Sequence, residues 1–268
     1  MSTTATRSTL RTALLIGGSI LVIGLLTFLI VSVVSAANRT DASREVAIDD
    51  AFDTLAITSE VADVRVSFGD VEQPLVAFEQ RGANRDMSFE AEAAGGTLTV
   101  AVAEHGSAPF FFGDVGAAPR LVVTLPAPFA DSGLALTLDA DIGDVVLEGD
   151  FGVVDVVTTV GDLRLSGSAE RLDAESTVGD TTLDGFAVSD DATISTTTGQ
   201  VDASIGAVPN RLDVVTTVGD ITLVLPNGDY RIDTATNIGD ITVNVPDSPA
   251  ADTIVRAETT TGDITIGN

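Results

Sequence analysis

The chain has 268 residues, with 13 arginines, no lysine, 40 acidic side chains and a formal charge of −27 at pH 7. Phosphate contacts need cationic side chains, so this balance excludes nucleic acid as a partner. The absence of cysteine removes disulfide staples, thiolate metal sites and cysteine nucleophiles, and a single histidine leaves few catalytic options.

Residues 1–11 form a short N-terminal tail. Residues 12–37 run for 26 positions without a charge, against the ~20 needed to cross a hydrocarbon core, and are read as one transmembrane α-helix that anchors the chain in the lipid bilayer. A cleavable signal peptide is the alternative, with Ser35-Ala36-Ala37 before Asn38 as its small-residue site, but the apolar stretch exceeds the usual ~7–15 residues. Arg7 and Arg11 on one flank balance Arg39 and Arg44 on the other, so cation bias leaves the orientation open. A long acidic domain is translocated regardless of its charge, and the expected localisation is the cell membrane, single-pass, with the C-terminal domain extracytoplasmic. Residues 38–44 are a polar linker; Asn38-Arg39-Thr40 fits a glycosylation acceptor, a tripeptide permissive enough to arise by chance.

Residues 45–130 alternate apolar and polar side chains, as in Asp63-Val64-Arg65-Val66-Ser67-Phe68, Thr97-Leu98-Thr99-Val100-Ala101-Val102 and Leu121-Val122-Val123-Thr124-Leu125, the last stopped by Pro126. These are strands. Phe52, Phe68, Phe78, Phe89 and Phe129 give this half a thicker core, and it is expected to cap a repetitive second half.

In residues 131–268 the pair Gly-Asp recurs at Gly143-Asp144, Gly161-Asp162, Gly179-Asp180, Gly219-Asp220, Gly239-Asp240 and Gly262-Asp263, with Gly199-Gln200 in the one gap, at spacings of 18, 18, 20, 20, 20 and 23. A period of about 20 residues points to a solenoid whose units bury their faces only against neighbours. Seven before each Gly stand Leu136, Val154, Leu172, Ala192, Leu212, Ile232 and Val255, an inward column. Apolar residues also dominate one before the Gly (Ile142, Val160, Val178, Val218, Ile238) and fill most positions two and four after it, with polar columns between. The period of two and the β-branched side chains give strands rather than helices. The fold class is therefore all-β, a right-handed parallel β-helix or β-solenoid with rungs of about 20 residues, preceded by the one transmembrane helix. A meander of antiparallel hairpins would show the same alternation. Each Gly takes a corner that other residues avoid, and the Asp after it satisfies turn amides. The last unit ends at Asn268 with no cap in the sequence, an open rung that invites self-association.

Asp144, Asp162, Asp180, Asp220, Asp240 and Asp263 line one corner and are the candidate ligands for a hard cation such as Ca²⁺. Neighbouring exposed carboxylates ~4.8 Å apart repel by only about 0.9 kcal/mol in water, so solvated turn residues need no metal. No metal or cofactor is expected. Three before the Gly, Thr158, Ser176, Thr196, Thr216, Thr236 and Thr259 point inward; beside them Thr159, Thr177, Thr197, Thr217, Asn237 and Thr260 point outward and are the candidate binding column for a repetitive ligand. Threonine also suits strands for its own sake. His105 has no Gly-x-Ser-x-Gly elbow to work with. Phe110, Phe111 and Phe112 would mark a contact patch if exposed, or else fill the N-terminal core.

The segments Thr158-Thr159-Val160-Gly161-Asp162-Leu163, Thr216-Thr217-Val218-Gly219-Asp220-Ile221 and Thr259-Thr260-Thr261-Gly262-Asp263-Ile264 resemble a bacterial β-strand-repeat family known as "putative adhesins", a domain of unknown function found in envelope proteins behind a membrane helix. The resemblance covers about residues 46 to 268. It implies an extracytoplasmic β-solenoid and carries no catalytic residues. The expected function is a non-catalytic binding, adhesion or envelope-sensing module whose partner is a cell-envelope polymer or surface protein. A scaffold for another membrane component is the alternative, and a carbohydrate-active β-helix enzyme the third. The unbalanced charge generates one prediction: the folded chain gains thermal stability as NaCl screens its own repulsion, and a melting temperature that stays flat or falls with added salt contradicts it.

Overall fold

The computed structural model describes residues 40–83, 86–105 and 118–268. The expected membrane span at 12–37 and the Phe110 to Phe112 run lie outside them. Eighteen strands form one continuous sheet: β1 (Thr40–Ala47), β2 (Thr54–Val61), β3 (Asp63–Gly69), β4 (Leu75–Ala83), β5 (Asp86–Ala94), β6 (Thr97–His105), β7 (Arg120–Pro126), β8 (Ala135–Ile142), β9 (Val145–Val160), β10 (Leu163–Val178), β11 (Thr181–Thr198), β12 (Val201–Ala207), β13 (Arg211–Val218), β14 (Ile221–Val224), β15 (Arg231–Ile238), β16 (Ile241–Val243), β17 (Ile254–Thr261) and β18 (Ile264–Gly267). A short 3-10 helix, Ala127–Ser132, follows Pro126. β1 begins at Thr40, within the segment read as a linker.

Each rung is a first arm, a corner and a second arm. The first arms stack in parallel in the order β6, β2, β8, β9, β10, β11, β13, β17, β15. The second arms follow in the same order, from β7 and β3 through β9, β10, β11, β12 and β14 to β18 and β16. The strands β9, β10 and β11 are long because each carries the second arm of one rung into the first arm of the next.

The wholly parallel β-helix is corrected by the N-terminal end. There β5 runs antiparallel on β6, β4 antiparallel on β7, and β1 antiparallel on β4, so the sheet is mixed. The reason for the first reversal is local. Gly95 and Gly96 both take positive φ, 61° and 86°, which makes the two-residue hairpin turn that pairs Ala94 with Thr97. The preceding transmembrane helix is not supported either: among the described residues no helix is long and apolar enough to cross a membrane, and 12–37 lies outside them. The 3-10 helix has six residues, far below the ~20 required.

The interior consists of stacked columns. Leu136, Val154, Leu172, Leu212 and Val255 are buried on the first arms, and Leu147, Leu165, Leu183, Leu223 and Ile266 on the second. At the N-terminal end the core thickens with Phe52, Phe78, Phe89 and Phe151, and the rings of Phe78 and Phe89 stack 5.6 Å apart. The alternation breaks just before each corner, where two successive side chains face solvent. Ile142, Val160, Val178, Val218 and Ile238 stand between 46 and 67% exposed, although their apolar character suits the interior.

Rung order departs from chain order at both ends. The first rung, β2 and β3, lies between the β6/β7 rung and the β8/β9 rung. At the other end the C-terminal rung, β17 and β18, is inserted between β13/β14 and β15/β16, so the open rung is 231–243 and not the one at the C-terminus. Among the described residues, strands β15 and β16 pair with nothing but β17 and β18. A chain truncated before Ile254 should therefore lose protection in two rungs rather than one: hydrogen exchange at 231–243 becomes fast although those residues remain. Retained protection there would mean that β15 stacks directly on β13.

Candidate functional site

The corner edge brings together the candidate residues that fall on the repeats. Its backbone is set by the glycine column. Gly219 has φ of 150°, and a Cβ built on it would sit 1.8 Å from the carbonyl oxygen of Gly199 on the rung below. Both the torsion and the close approach exclude any side chain.

The aspartates form a ladder of carboxylate-to-amide bonds. Asp144 Oδ1 accepts from the Asp162 N–H at 2.9 Å, Asp162 Oδ1 from the Asp180 N–H at 3.0 Å, and Asp180 Oδ1 from the Gln200 N–H at 2.9 Å. Beyond Gln200 the ladder resumes in spatial order: Asp220 Oδ1 accepts from Asp263 N–H and Asp263 Oδ1 from Asp240 N–H, both at 2.8 Å. Asp63 begins the column by accepting from Asp144 N–H at 3.2 Å; it precedes the repeats, and its corner partner is Ala62, so the Gly-Asp signal does not reach it. Each carboxylate but that of Asp240, on the last rung, thus spends one oxygen on the next rung's corner. Among the described residues no group of three or more His, Asp or Glu is arranged to hold a metal ion.

The inner Thr and Ser column is buried in every rung but the last, where Thr236 is half-buried, and several of its hydroxyls bond to the backbone. Thr259 Oγ1 donates to the Gly219 carbonyl and Thr236 Oγ1 to the Gly262 carbonyl, each at 3.1 Å. Thr158, Thr196 and Thr216 are buried in the same column, and Thr196 lies 3.4 Å from Thr181 across the core. Buried Ser176 Oγ has no partner.

The outer column faces solvent at every position: Thr159, Thr177, Thr197, Thr217, Thr260 and Asn237 are all exposed. Directly beside it runs the second exposed row, Ile142, Val160, Val178, Thr198, Val218, Thr261 and Ile238 in spatial order. The edge therefore carries three parallel rows, one hydroxyl-bearing, one largely aliphatic and one acidic, with one residue of each per rung. Parallel stacking spaces them ~4.8 Å apart. The aliphatic row was not recognised as a surface from sequence, because its residue types match the core; only the two-residue break in alternation before the Gly distinguishes it.

On the first-arm outer face, Asp155 and Asp173 occupy neighbouring rungs. Burial, and then the adjacent Asp155 charge, push the Asp173 carboxyl above its ordinary value of 3.8. Arg211 pairs with Asp213 at 2.6 Å and Arg65 with Glu148 at 2.6 Å. Exposed pairs of this kind contribute about 0–1 kcal/mol each. His105 is exposed at the end of β6.

Residues 52–268 match the model of the Toastrack DUF4097 family. The chain belongs to this family. Its fold is similar to a solved structure described as a "putative adhesin" from Bacteroides fragilis NCTC 9343, at 15% identity and a TM-score of 0.52, covering 85% of this chain and 97% of that one. Other similar structures are a "putative cell adhesion protein" from Clostridium sporogenes ATCC 15579 (13% identity, TM-score 0.41, 85% of this chain and 99% of that one) and a "putative lipid binding protein" from Parabacteroides distasonis ATCC 8503 (12%, 0.47, 85% and 96%). No curated protein matches the chain.

Two predictions rest on this edge and its outer face. Gly219→Ala should cost more than about 4 kcal/mol in denaturant unfolding, whereas Asp180→Ala should cost about 1 kcal/mol and Asp180→Asn, which keeps an acceptor, less. An Asp180→Ala variant more damaging than Gly219→Ala would contradict the close-approach account. For Asp173, a carboxyl pKa raised in the folded state means that the folded chain holds the proton more tightly. Its ionisation is then destabilising above the folded pKa, and the penalty disappears as pH falls to 3.8 and below. Asp173→Asn should accordingly stabilise the protein at neutral pH and lose that advantage in acid; a gain independent of pH would contradict the assignment.

Proposed function

We propose that the chain is a non-catalytic binding module that works outside the cytoplasmic membrane and holds a linear, repetitive partner along its corner edge. The observation that carries this reading is the exposed aliphatic row, Ile142, Val160, Val178, Val218 and Ile238, set in register beside the exposed hydroxyl row of Thr159, Thr177, Thr197, Thr217 and Thr260. An aliphatic row exposed along the length of a stack is unusual on a surface that otherwise carries charge, and it marks a contact site. Aliphatic and hydroxyl rows suit the two faces of a sugar ring, apolar C–H and polar O–H. The −27 charge disfavours polyanions and leaves neutral or cationic envelope polymers, or a neighbouring surface protein, as partners. The Bacteroides structure with this fold is described as a "putative adhesin", which supports the same class of role.

The test is a pull-down of purified envelope polymers and of intact cells with the chain and with Val160→Asp/Val178→Asp/Val218→Asp. The expected result is binding by the unaltered chain and at least a tenfold loss in the triple variant, with the melting temperature close to that of the unaltered chain because these side chains are already about half exposed. Equal binding by both would move the site elsewhere on the molecule. The external placement is checked by protease treatment of intact cells carrying a cleavage site in the 70–74 loop and a C-terminal tag: cleavage is expected without lysis, and protection until lysis contradicts it.

A further inference from the structure

We infer that the far end of the solenoid, the rung formed by β15 and β16, is the docking surface for a second copy of this chain, stacked end to end about a twofold axis. Every rung further in has its inward columns covered from both sides. On the last rung they are not: Ile241 is 42% and Val243 37% exposed, while their counterparts Ile264 and Ile266 on β18 are fully buried. Ile232, Thr234 and Thr236, inward on β15, are likewise only half-buried. The outer backbone edge is closed at its start alone. There the Ser248 N–H donates to the Tyr230 carbonyl at 2.7 Å, and Asp247 Oδ1 accepts from the Ile232 N–H at 3.1 Å. From Asp233 through the Gly239 corner to Val243, no strand among the described residues lies on the outer side of β15 and β16. An edge left open beside an uncovered aliphatic core is a template for another rung.

Three features point to a second copy as the occupant. The chain itself shows that rungs stack without regard to sequence order, since β17 and β18 fit in register between β13/β14 and β15/β16. The inward side chains that a second copy presents are the same isoleucines, valine and threonines, so the surface is self-complementary, each aliphatic side chain of β16 meeting a threonine methyl of the partner's β15. The opposite end is already covered by the antiparallel strands β1, β4 and β5. Head-to-tail growth is thereby blocked. Association through like ends closes as a dimer instead of running on as a fibre. A twofold through the Gly239 corner sets β15 of one copy antiparallel to β16 of the other and lays Ile241 and Val243 over the inward Thr236 and Thr234.

The inference is independent of the corner-edge reading, whose residues lie along the side of the stack. It is tested by sedimentation of the purified full-length chain beside Ile241→Lys and Thr236→Lys, each placing a charge into the proposed interface. The unaltered chain should sediment at twice the chain mass at micromolar concentration, and both variants at the chain mass with unchanged circular dichroism. A monomeric unaltered chain, or a dimer that survives both substitutions, overturns the proposal. Because the chain has no cysteine, a single Ile238→Cys, at an exposed position next to the twofold, provides a second readout that does not depend on destabilising the end rung. Oxidation should give a disulfide-linked dimer from Ile238→Cys and none from Ile142→Cys at the other end of the same row; equal cross-linking by the two would likewise overturn it.

Discussion

The approach of one glycine to the glycine beneath it sets the geometry on which the rest of the structure depends. At each repeat corner the Cα lies so close to the carbonyl of the previous rung that a Cβ there would be about 2 Å from that oxygen, as at Gly161, Gly179 and Gly262. Only glycine permits this contact, and only the φ it alone adopts easily, 145° to 150° at these positions, turns the chain from first arm to second. Once the corners are in contact, the rest follows by registry. The next residue's amide falls within reach of the aspartate below, the inward threonine three positions earlier meets a corner carbonyl, and the aliphatic columns two and four positions later come into line. The variation in repeat length, from 18 to 23 residues, is absorbed away from this corner, in the returns between second and first arms.

A corner that is the same in every rung makes the rungs interchangeable, and the topology uses that freedom. Rung β17/β18 is accepted between two others because its Gly262 stacks on Gly219 as closely as Gly239 stacks on Gly262. The consequence is kinetic as well as architectural. The end rung has no partner strand until the last fifteen residues, 254–268, are available, so non-local pairing is deferred to the end of the chain. The same interchangeability underlies the proposed contact with a second copy. A rung surface that accepts one rung out of order is suited to accept another from outside.

Much of the architecture could be read from particular residues. The alternation of Val154, Val156 and Thr158 fixes which side of the first arm is buried, and the Gly-Asp spacing fixes the corners and the role of the carboxylates. The outward threonines followed from the same parity. The antiparallel end was signalled by Gly95-Gly96 between two alternating runs, a hairpin mark that the repeat pattern overshadowed. Two features lay beyond pattern reading for physical reasons. The aliphatic row from Ile142 to Ile238 is chemically a core column, and its exposure arises from a break of parity in the last two positions of the arm. The order of the last two rungs is invisible because both carry the same motif, so the sequence contains nothing that distinguishes a neighbour in space from a neighbour in chain.

Rung order is read directly by disulfide trapping in a chain without native cysteine. Thr222, Thr265 and Thr242 are outward residues at the same position of β14, β18 and β16. A disulfide needs Cα atoms about 4.4–6.8 Å apart, which neighbouring rungs meet and alternate rungs, at about twice the strand spacing, do not. Thr222→Cys/Thr265→Cys and Thr265→Cys/Thr242→Cys should each oxidise to an intramolecular disulfide, and Thr222→Cys/Thr242→Cys should not. Efficient closure of the Thr222/Thr242 pair, with failure of the Thr222/Thr265 pair, would place the rungs in chain order and contradict the account.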